Sequence, residues 1–223
     1  MAFGPEILVQ RIHRVDGSKA AAINLAPFEP TDAAAHFPFS GRDVALNFLS
    51  PETSASLLES TPDRFFELRI RGPNRLAWGI WNEKMFAGCI DFYHGLDASP
   101  GLNIVLTPGS RGLGIGTMAT AAATKAVFTP GLTANHVPEY CKPIVTEIDT
   151  MIHPDNTPSK VMCESLGFRQ LGPLARITRY SQKRWIHYGA LNPDLANAAA
   201  VGSPAQSGVE RRKRTMEQFI IKT

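Results

Sequence analysis

The chain lacks the features that mark disulfide-bonded, membrane-spanning and secreted proteins. Its 223 residues include three cysteines, Cys89, Cys141 and Cys163, and this odd number at wide spacing forms neither a disulfide framework nor a paired zinc site. No apolar run approaches the roughly 20 residues that span a bilayer, and the N-terminus lacks the basic start and apolar core of a signal peptide. We therefore expect reduced thiols, no metal, no membrane contact and a cytoplasmic location, with Cys89 as a small buried hydrophobe.

A strong charge excess is missing as well. The formal net charge is +3 and the pI is about 8.8, and much of the excess comes from a short run near the C-terminus, Arg211, Arg212, Lys213 and Arg214. Such a balance does not by itself indicate a nucleic-acid-binding protein. With 43% hydrophobic residues the chain can bury one sizeable core, which predicts a single domain with extensions.

Composition sets the two ends of the chain apart. We expect a variable segment over residues 1–40, a folded domain over 41–191, and a flexible linker with a basic tail over 192–223. Residues 192–208 are rich in Ala, Ser, Pro, Gly and Asn, which is typical of a linker. Residues 209–221 are predicted as a short basic helix with Met216, Phe219 and Ile220 on one side. This tail either docks on its own domain or a neighbouring subunit, or contacts nucleic acid or the ribosome.

What the chain does have is a glycine-rich stretch, Arg111-Gly112-Leu113-Gly114-Ile115-Gly116-Thr117, between an apolar strand and an alanine-rich helix over 117–128. Glycines at alternate positions permit positive φ, so that consecutive backbone N–H groups turn inward toward an anion. The N-terminus of the following helix adds unpaired N–H groups and partial positive charge, which predicts a pyrophosphate site. A P-loop needs Lys-Ser or Lys-Thr after Gly116, and a dinucleotide-binding fold needs the glycines after the first strand, so neither fits.

A second segment, 153–168, follows a β-type run over 144–152. It contains a helix that begins after Asn156 or Thr157, carries Pro158 in its first turn and stops at Gly167. Together the two segments resemble the GCN5-related N-acetyltransferase (GNAT) family. The family motifs Arg/Gln-x-x-Gly-x-Gly/Ala and Asn-x-x-Ser/Ala, the latter on a helix ending in Leu-Gly-Phe, are matched by Arg111, Gly114, Gly116, Asn156, Ser159, Leu166, Gly167 and Phe168. The resemblance covers residues 68–191 and is closest to the branch that acetylates ribosomal-protein N-termini, where Ala77-Trp78-Gly79-Ile80-Trp81 is also familiar.

The resemblance implies an α+β fold, with a mixed, mostly antiparallel central sheet flanked by helices and acyl-CoA bound at a splayed strand pair. It implies acetyl-CoA as co-substrate, direct acetyl transfer to a primary amine of a protein N-terminus, lysine or small molecule, and a possible homodimer. The residues expected to bind acetyl-CoA are Leu106, Thr107, Arg111, Gly112, Leu113, Gly114, Ile115, Gly116, Thr117, Asn156 and Ser159. Arg111 is either a partner on the 3′-phosphate side or a solvated loop residue.

The catalytic roles are less complete. Ser159 is expected to protonate the CoA thiolate, and Asn156 is expected to contact the pantetheine, to cap its helix, or both. Many family members use a tyrosine as the acid, but its position holds Cys163, so Ser159, water or the thiol must serve. The branch often carries a glutamate before the glycine turn, whereas Pro100-Gly101-Leu102-Asn103 has no carboxylate. The general base is therefore open among four candidates and water; the candidates are Asp91, His94, Glu147 and Asp149.

These departures keep two alternatives open besides an active N-acetyltransferase. One is a module that binds acyl-CoA without transfer, and the other is a nucleic-acid-directed acyltransferase that uses the basic tail. Apolar patterns predict two short helices over 44–58, helices over 117–128 and 158–166, and a hairpin turn at 82–84. The predicted strands are 65–70, 75–81, 85–93, 102–107, 144–152 and one or two within 177–190.

Overall fold

Nine strands of the described residues form one sheet. The computed structural model describes residues 4–11, 20, 22–29, 31, 75–94, 99–129, 145–173, 185–192 and 219–222. The strands are β1 (Ile7–Arg11), β2 (Ala22–Ala26), β3 (Leu76–Asn82), β4 (Met85–His94), β5 (Pro100–Leu106), β6 (Glu147–Ile152), β7 (Arg169–Pro173), β8 (Ile186–Leu191) and β9 (Phe219–Lys222). Two α-helices are described, α1 (Ile115–Phe128) and α2 (Thr157–Ser165), and a 3-10 turn (Pro108–Ser110) follows β5.

The strand order is β7-β8-β6-β5-β4-β3-β2-β1-β9. Neighbouring strands pair antiparallel except β5 and β6, which are parallel. In the described part of the chain β5 and β6 pair at one position, Gly101 with Asp149, and part beyond it. The sheet is therefore mixed and mostly antiparallel, with a splay between its two parallel strands.

Alternation along the strands gives the sheet two different faces. The face that we call the helix face carries apolar side chains such as Trp78, Ile90 and Leu102, and it packs against α1 and the buried side of α2 in one core cluster. The opposite face, here the polar face, carries Asp91, Asn103 and Asp149: Asp91 pairs with Asn103, and Asp149 pairs with Gly101, two residues before Asn103 on β5. An α-helix rich in alanine fits closely on the first face, since α1 is buried along nearly its whole length.

The β3–β4 hairpin turns at Glu83 and Lys84, and Glu83 adopts a positive φ of 56°. The register between β3 and β4 shifts between Ile80 and Trp81, which leaves Ala87 without a β3 partner. The Ala87 carbonyl instead accepts a hydrogen bond of 2.9 Å from the Thr107 N–H at the end of β5. This β-bulge helps to fix where β5 ends and the glycine-rich turn begins.

Several predicted elements are confirmed, with shifted boundaries. The hairpin, the strands now numbered β3 to β6 and β8, and both helices occur where the apolar patterns indicated. Helix α1 begins at Ile115, two residues before the predicted start, because Gly114 serves as its N-cap. Strand β7 was not predicted. The predicted helices over 44–58 and the strand over 65–70 lie outside the described residues, as do Cys141 and the basic run 211–214.

The two ends of the chain also differ from expectation. Strands β1 and β2, within the segment set apart as 1–40, belong to the same sheet as the central strands. The predicted tail helix over 209–221 is wrong at its end, where β9 pairs antiparallel with β1. Ile221 packs against the core cluster. Main-chain pairing with β1 and this apolar burial therefore favour a strand here over the predicted helix.

Candidate active site

The turn between β5 and α1 is the first part of the site. Gly112 and Gly114 both have a φ of +74°, a region that side chains with a Cβ rarely adopt. Gly116 lies within α1 and needs no positive φ; a Cβ there would stand 3.3 Å from the Met162 sulfur. Two of the three glycines thus shape the backbone, and the third permits α1 to approach α2. We call residues 111–116 the glycine turn.

The glycine turn presents backbone donors. No described residue accepts a hydrogen bond from the N–H groups of residues 112–116, and Gly114 caps α1 without a side-chain bond. Nothing lies within 4 Å of the place of a Cβ on Gly112, so the turn is open at that residue. Open N–H groups at the start of a helix, here one of 14 residues, are the kind of donors that bind anions in proteins.

Three residues brace this turn from within. The Thr107 hydroxyl donates to the Ser110 Oγ at 2.7 Å, and the Ser110 N–H donates to the Thr107 carbonyl at 3.0 Å. The Arg111 Nε and Nη2 donate to the Leu106 carbonyl at 3.2 and 3.1 Å. Arg111 is therefore not a solvated loop residue, and Thr107, whose N–H bonds Ala87, supports the turn with each of its polar groups.

The splay lines up further backbone groups. Because the Thr107 N–H bonds the Ala87 carbonyl and bonded pairs alternate in an antiparallel ladder, the main-chain groups of Leu102, Ile104 and Leu106 face away from β4. The Leu102 carbonyl accepts from the Thr150 hydroxyl of β6 at 3.0 Å. Beyond this contact the strands part, and the Ile104 N–H and carbonyl face the gap between them.

Helix α2 begins at its predicted cap. The Asn156 Oδ1 accepts a hydrogen bond from the Ser159 N–H at 3.3 Å, which confirms the capping role of Asn156. This bond uses the amide oxygen and leaves the amide NH₂ as a separate donor group. Ser159, half-buried, lies three residues before Met162 on the same side of the helix, and Met162 contacts the glycine turn at Gly116. Ser159 thus stands at the exposed end of the α2 face that packs toward α1.

Two buried groups near α2 are poor proton donors. Burial, with a smaller effect of the Glu164 carboxylate, raises the pKa of the Cys163 thiol to about 12. Burial and the hydrogen bond to Glu164 raise the pKa of Tyr188 to about 12, and the Tyr188 hydroxyl donates to the Glu164 Oε1 at 3.1 Å. Cys163 is 2% exposed and belongs to the core cluster, so it does not replace the absent tyrosine as an acid at the surface of the site.

On the polar face, Asp91 is paired. Its Oδ2 accepts from the Arg75 Nη1 at 2.7 Å and from the Asn103 Nδ2 at 3.3 Å, and its side chain is 1% exposed. The Arg75 guanidinium also lies over the Tyr93 ring, 5.7 Å from its centroid. An aspartate so enclosed is a structural ion pair rather than an accessible base. His94, another candidate, is the last residue of β4.

A second polar group, which we call the β6–β8 cluster, consists of Glu147, Asp149 and His187. The His187 Nε2 lies 3.1 Å from the Asp149 Oδ1, and Asp149 is the residue that pairs with Gly101 at the start of the splay. Burial raises the pKa of Glu147, the Asp149 carboxylate raises it further, and His187 acts in the opposite direction. The predicted shared face of Glu147 and Asp149 is confirmed: they lie two residues apart in β6, and the Glu147 Oε1 stands 2.6 Å from the place of a Cβ on Gly189, the residue that pairs with Asp149. His187 was missed, because only the pairing of β6 with β8 brings it to Asp149.

The register also bears on the missing glutamate. Gly101 lies in the stretch where a carboxylate was expected on β5, and the neighbouring strand provides one directly across from it, Asp149. The Tyr93 ring fills the place of a side chain on Gly101, since a Cβ there would stand 2.5 Å from the ring. The carboxylate at this end of the splay thus comes from β6 instead of β5.

The chain belongs to the GNAT acetyltransferases. The model of the acetyltransferase (GNAT) domain matches residues 23–169, about two thirds of the chain. The predicted family and α+β fold are confirmed, and the co-substrate of the family is acetyl-CoA. A search of curated proteins found no match. The family match spans β2 to β6, and strands β1, β8 and β9 lie outside it.

Solved structures show the same fold at low sequence identity. Mycobacterium smegmatis RimJ, in complex with CoA-disulfide, has 17% identity and a TM-score of 0.59 over 97% of this chain and 96% of that one. RimL, a ribosomal L7/L12 alpha-N-protein acetyltransferase in complex with coenzyme A, has 13% identity and a TM-score of 0.55, covering 76% and 93%. The microcin C7 self-immunity acetyltransferase MccE, in complex with acetyl-CoA and AMP, has 15% identity and a TM-score of 0.53, over 76% of this chain and 92% of that one.

Two further searches concern the described residues alone. No helix among them is long and apolar enough to span a membrane. No group of three or more His, Cys, Asp or Glu side chains among them is placed to hold a metal ion.

Proposed function

We propose that this protein is an acetyl-CoA-dependent N-acetyltransferase that acetylates a primary amine by direct attack in a ternary complex. The observation that carries the proposal is the alignment of three features along β5: the glycine turn at its end, the outward-facing main chain of Ile104 in its middle, and the β6–β8 cluster beside its start. About 16 Å of strand separates Gly101 from Leu106, at roughly 3.3 Å per residue. The proposed anion site and the proposed proton-accepting site thus lie at opposite ends of β5, and an extended ligand along the strand would join them.

The residues present fit acetyl-CoA. The open N–H groups of the glycine turn suit the pyrophosphate, and the Ile104 N–H and carbonyl suit the amide groups of the pantetheine, as an added strand would pair. The Asn156 amide NH₂, at the start of the helix that follows β6, is a further donor. When bound, acetyl-CoA supplies the acetyl group as a thioester. Leu113 and Ile115 would contribute their backbone N–H groups to the site. Gly116 would permit the close packing of α1 on α2, and Thr117, half-exposed in the first turn of α1, would face the ligand.

Ser159 is the proposed acid. The amine nitrogen forms a bond to the thioester carbon and loses its second proton to water, the carbon–sulfur bond breaks, and the sulfur leaves with the electron pair. A Ser159 hydroxyl near that sulfur donates the proton and regains one from water. The pKa of Cys163 and that of Tyr188 are both raised to about 12 in buried surroundings, and the Tyr188 proton is engaged by Glu164, so neither competes for this role.

The Asp149–His187 pair is the proposed base. If the His187 Nε2 carries the proton donated to Asp149, the Nδ1 is free to accept one from the acceptor ammonium. Asp149 then fixes the tautomer and stabilises the imidazolium that forms. Asp91 is excluded from this role by its ion pair with Arg75. An acceptor amine is cationic before it reacts, and the carboxylates of the cluster favour its approach.

An acceptor screen tests the function. The full chain is incubated with acetyl-CoA and three kinds of amine: peptides with free α-amines, lysine peptides with blocked N-termini, and small amines. Mass spectrometry detects the gain of one acetyl group. The resemblance to the ribosomal-protein branch leads us to expect transfer to the α-amines. Binding of acetyl-CoA without transfer to any amine would favour the acyl-CoA-binding module, and absence of binding would refute the proposal.

The base assignment has its own variants. His187→Gln and Asp149→Asn should each lower kcat by about 100-fold or more, the usual contribution of a general base, with little change in the Kd for acetyl-CoA. Gln170→Ala, on the neighbouring strand β7, is the control and should keep the wild-type kcat. Wild-type kcat in both cluster variants would show that water takes the proton.

A further inference from the structure

An arginine outside the family match reaches the glycine turn. Ile7, Val9 and Arg11 alternate along β1 and so share the helix face, where Ile7 and Val9 are fully buried. An arginine at the next inward position is unusual because burial of a charge is costly unless it meets a partner. Arg11 stands at the end of β1 where the inward face meets the start of α1.

The contacts of Arg11 define its place. Its Nη2 lies 3.5 Å from the Leu113 carbonyl, and its Nε lies 3.4 Å from the Met118 sulfur. The same Nη2 occupies the place where a Cβ of residue 114 would stand, so the guanidinium rests directly against Gly114. The Leu113 carbonyl also accepts from the Ala20 N–H at 3.1 Å, which ties the chain before β2 to the same point.

The arginine of the sequence motif is placed differently. Two nitrogens of Arg111 bond the carbonyl of Leu106 and brace the turn. The open N–H groups of the turn carry only partial charge, whereas a pyrophosphate carries two negative charges at neutral pH. A guanidinium at Gly114 supplies the full positive charge and the paired donors that such a group prefers.

We infer that Arg11 is a binding residue for the pyrophosphate of acyl-CoA, delivered to the glycine turn by the N-terminal strand. The inference rests on the proposed function, because it takes acetyl-CoA as the ligand of that turn. It adds a residue that lies 102 positions before Leu113 in sequence and belongs to no motif. Two features then require glycine at position 114: its positive φ, and the space that the Arg11 guanidinium occupies beside it.

The C-terminal strand holds this arginine in place. β9 covers the outer edge of β1, and Phe219 pairs with Arg11 while Ile221 pairs with Val9. Among the described residues the register of β1 with β2 ends at Gln10, so β9 is the strand that pairs with Arg11 itself. A paired strand end has fewer conformations than a free one, so β9 limits the positions that the Arg11 side chain can reach. The last residues of the chain therefore act on acyl-CoA binding through Arg11, as a positioning element.

Calorimetry on the full chain tests the inference with CoA and with 3′-dephospho-CoA, which keeps the pyrophosphate. Arg11→Gln should raise the Kd for both ligands by the same factor, at least tenfold, and Arg11→Lys should recover part of the loss. Lys125→Gln, which removes a cation from the last turn of α1, should leave both values unchanged. Circular dichroism checks that each variant is folded.

Each outcome decides one point. A loss confined to CoA would assign Arg11 to the 3′-phosphate and overturn the pyrophosphate assignment. An unchanged Kd in a folded Arg11→Gln variant would overturn the inference while leaving the proposed function intact, and only a wild-type protein that binds no CoA would refute both.

A strand-breaking variant tests the positioning role of β9. Ile220→Pro, which disrupts the pairing of β9 with Gln10, should raise the Kd in the wild-type background and add nothing in the Arg11→Gln background. Additive effects of the two changes would show that β9 does not act through Arg11.

Discussion

The two ends of strand β5 obtain their chemistry in different ways. At its C-terminal end, the glycine turn draws its donors from consecutive backbone groups of one short stretch, and the residues at its base bond each other. At its N-terminal end, the β6–β8 cluster draws its side chains from two strands whose members lie 38 positions apart in sequence. Backbone chemistry of this kind tolerates few substitutions, whereas a carboxylate can move to a neighbouring strand. In this chain the glycine turn matches the family motif, whereas the stretch of β5 that often carries a glutamate in the branch has none and the Asp149 carboxylate of β6 lies across from it.

The largest effect expected on the polar face is on stability. Asp91→Ala would leave the Arg75 guanidinium without its carboxylate, and loss of one partner of a buried pair costs about 3 kcal/mol, the low end of the usual range because Arg75 is partly exposed. Asn103→Ala leaves the ion pair in place and removes one long hydrogen bond, 3.3 Å, from an uncharged amide to the charged carboxylate, so it should cost less, about 1.5 kcal/mol. Urea unfolding measures both. Equal losses would mean that the ion pair adds nothing beyond packing.

The second effect concerns the proton given to the CoA sulfur. Ser159→Ala should lower kcat by about 100-fold with a small change in the KM for acetyl-CoA, since the proton is needed as charge develops on sulfur. Cys163→Ala removes a buried thiol of raised pKa and should leave kcat unchanged while lowering stability modestly. Steady-state kinetics with an identified acceptor separates the two. Similar small changes in kcat for both variants would identify water as the acid and return Ser159 to an ordinary helix residue.

Sequence patterns were informative where the responsible residues are neighbours in the chain. The turn glycines, the Asn156 cap and the β3–β4 hairpin each depend on local backbone geometry, which a short motif records. The patterns were silent where partners come from distant strands. His187 gains its role only from the register of β8 with β6, and Arg11 only from the path of α1 across β1. The four-residue strand β9 has no pattern of its own, and its pairing with β1 determines its conformation.

The third effect concerns the glycine turn itself. Gly114→Val places a branched side chain at a φ of +74°, which costs roughly 1–2 kcal/mol in backbone strain, and it collides with the Arg11 guanidinium. We expect the Kd for acetyl-CoA to rise at least tenfold, or about 1.4 kcal/mol. Gly109→Ala is the matched control, because nothing lies within 4 Å of its Cβ position. Unchanged affinity in a folded Gly114→Val protein would remove the turn from the binding site.

The smallest expected effect is a pH-dependent change in stability at Glu147 of the β6–β8 cluster. Because the pKa of Glu147 is raised in the folded protein, the protonated form is favoured there; its contribution to stability is complete below the ordinary value of 4.5 and is lost as pH rises through the raised value. Glu147→Gln cannot ionise. The variant should therefore be more stable than wild type at pH 7, by less than about 1 kcal/mol since the side chain is partly exposed, and the gain should vanish as pH falls toward 4.5.

Thermal unfolding across this pH range measures the difference, with Glu83→Gln on the exposed β3–β4 hairpin as the baseline for loss of a surface charge. A Glu147→Gln variant that is less stable than wild type at pH 7 would show that the carboxylate is held by favourable partners. The N-terminal end of β5 would then lie beside a satisfied polar network, and burial and the Asp149 carboxylate would not be the dominant influences on Glu147.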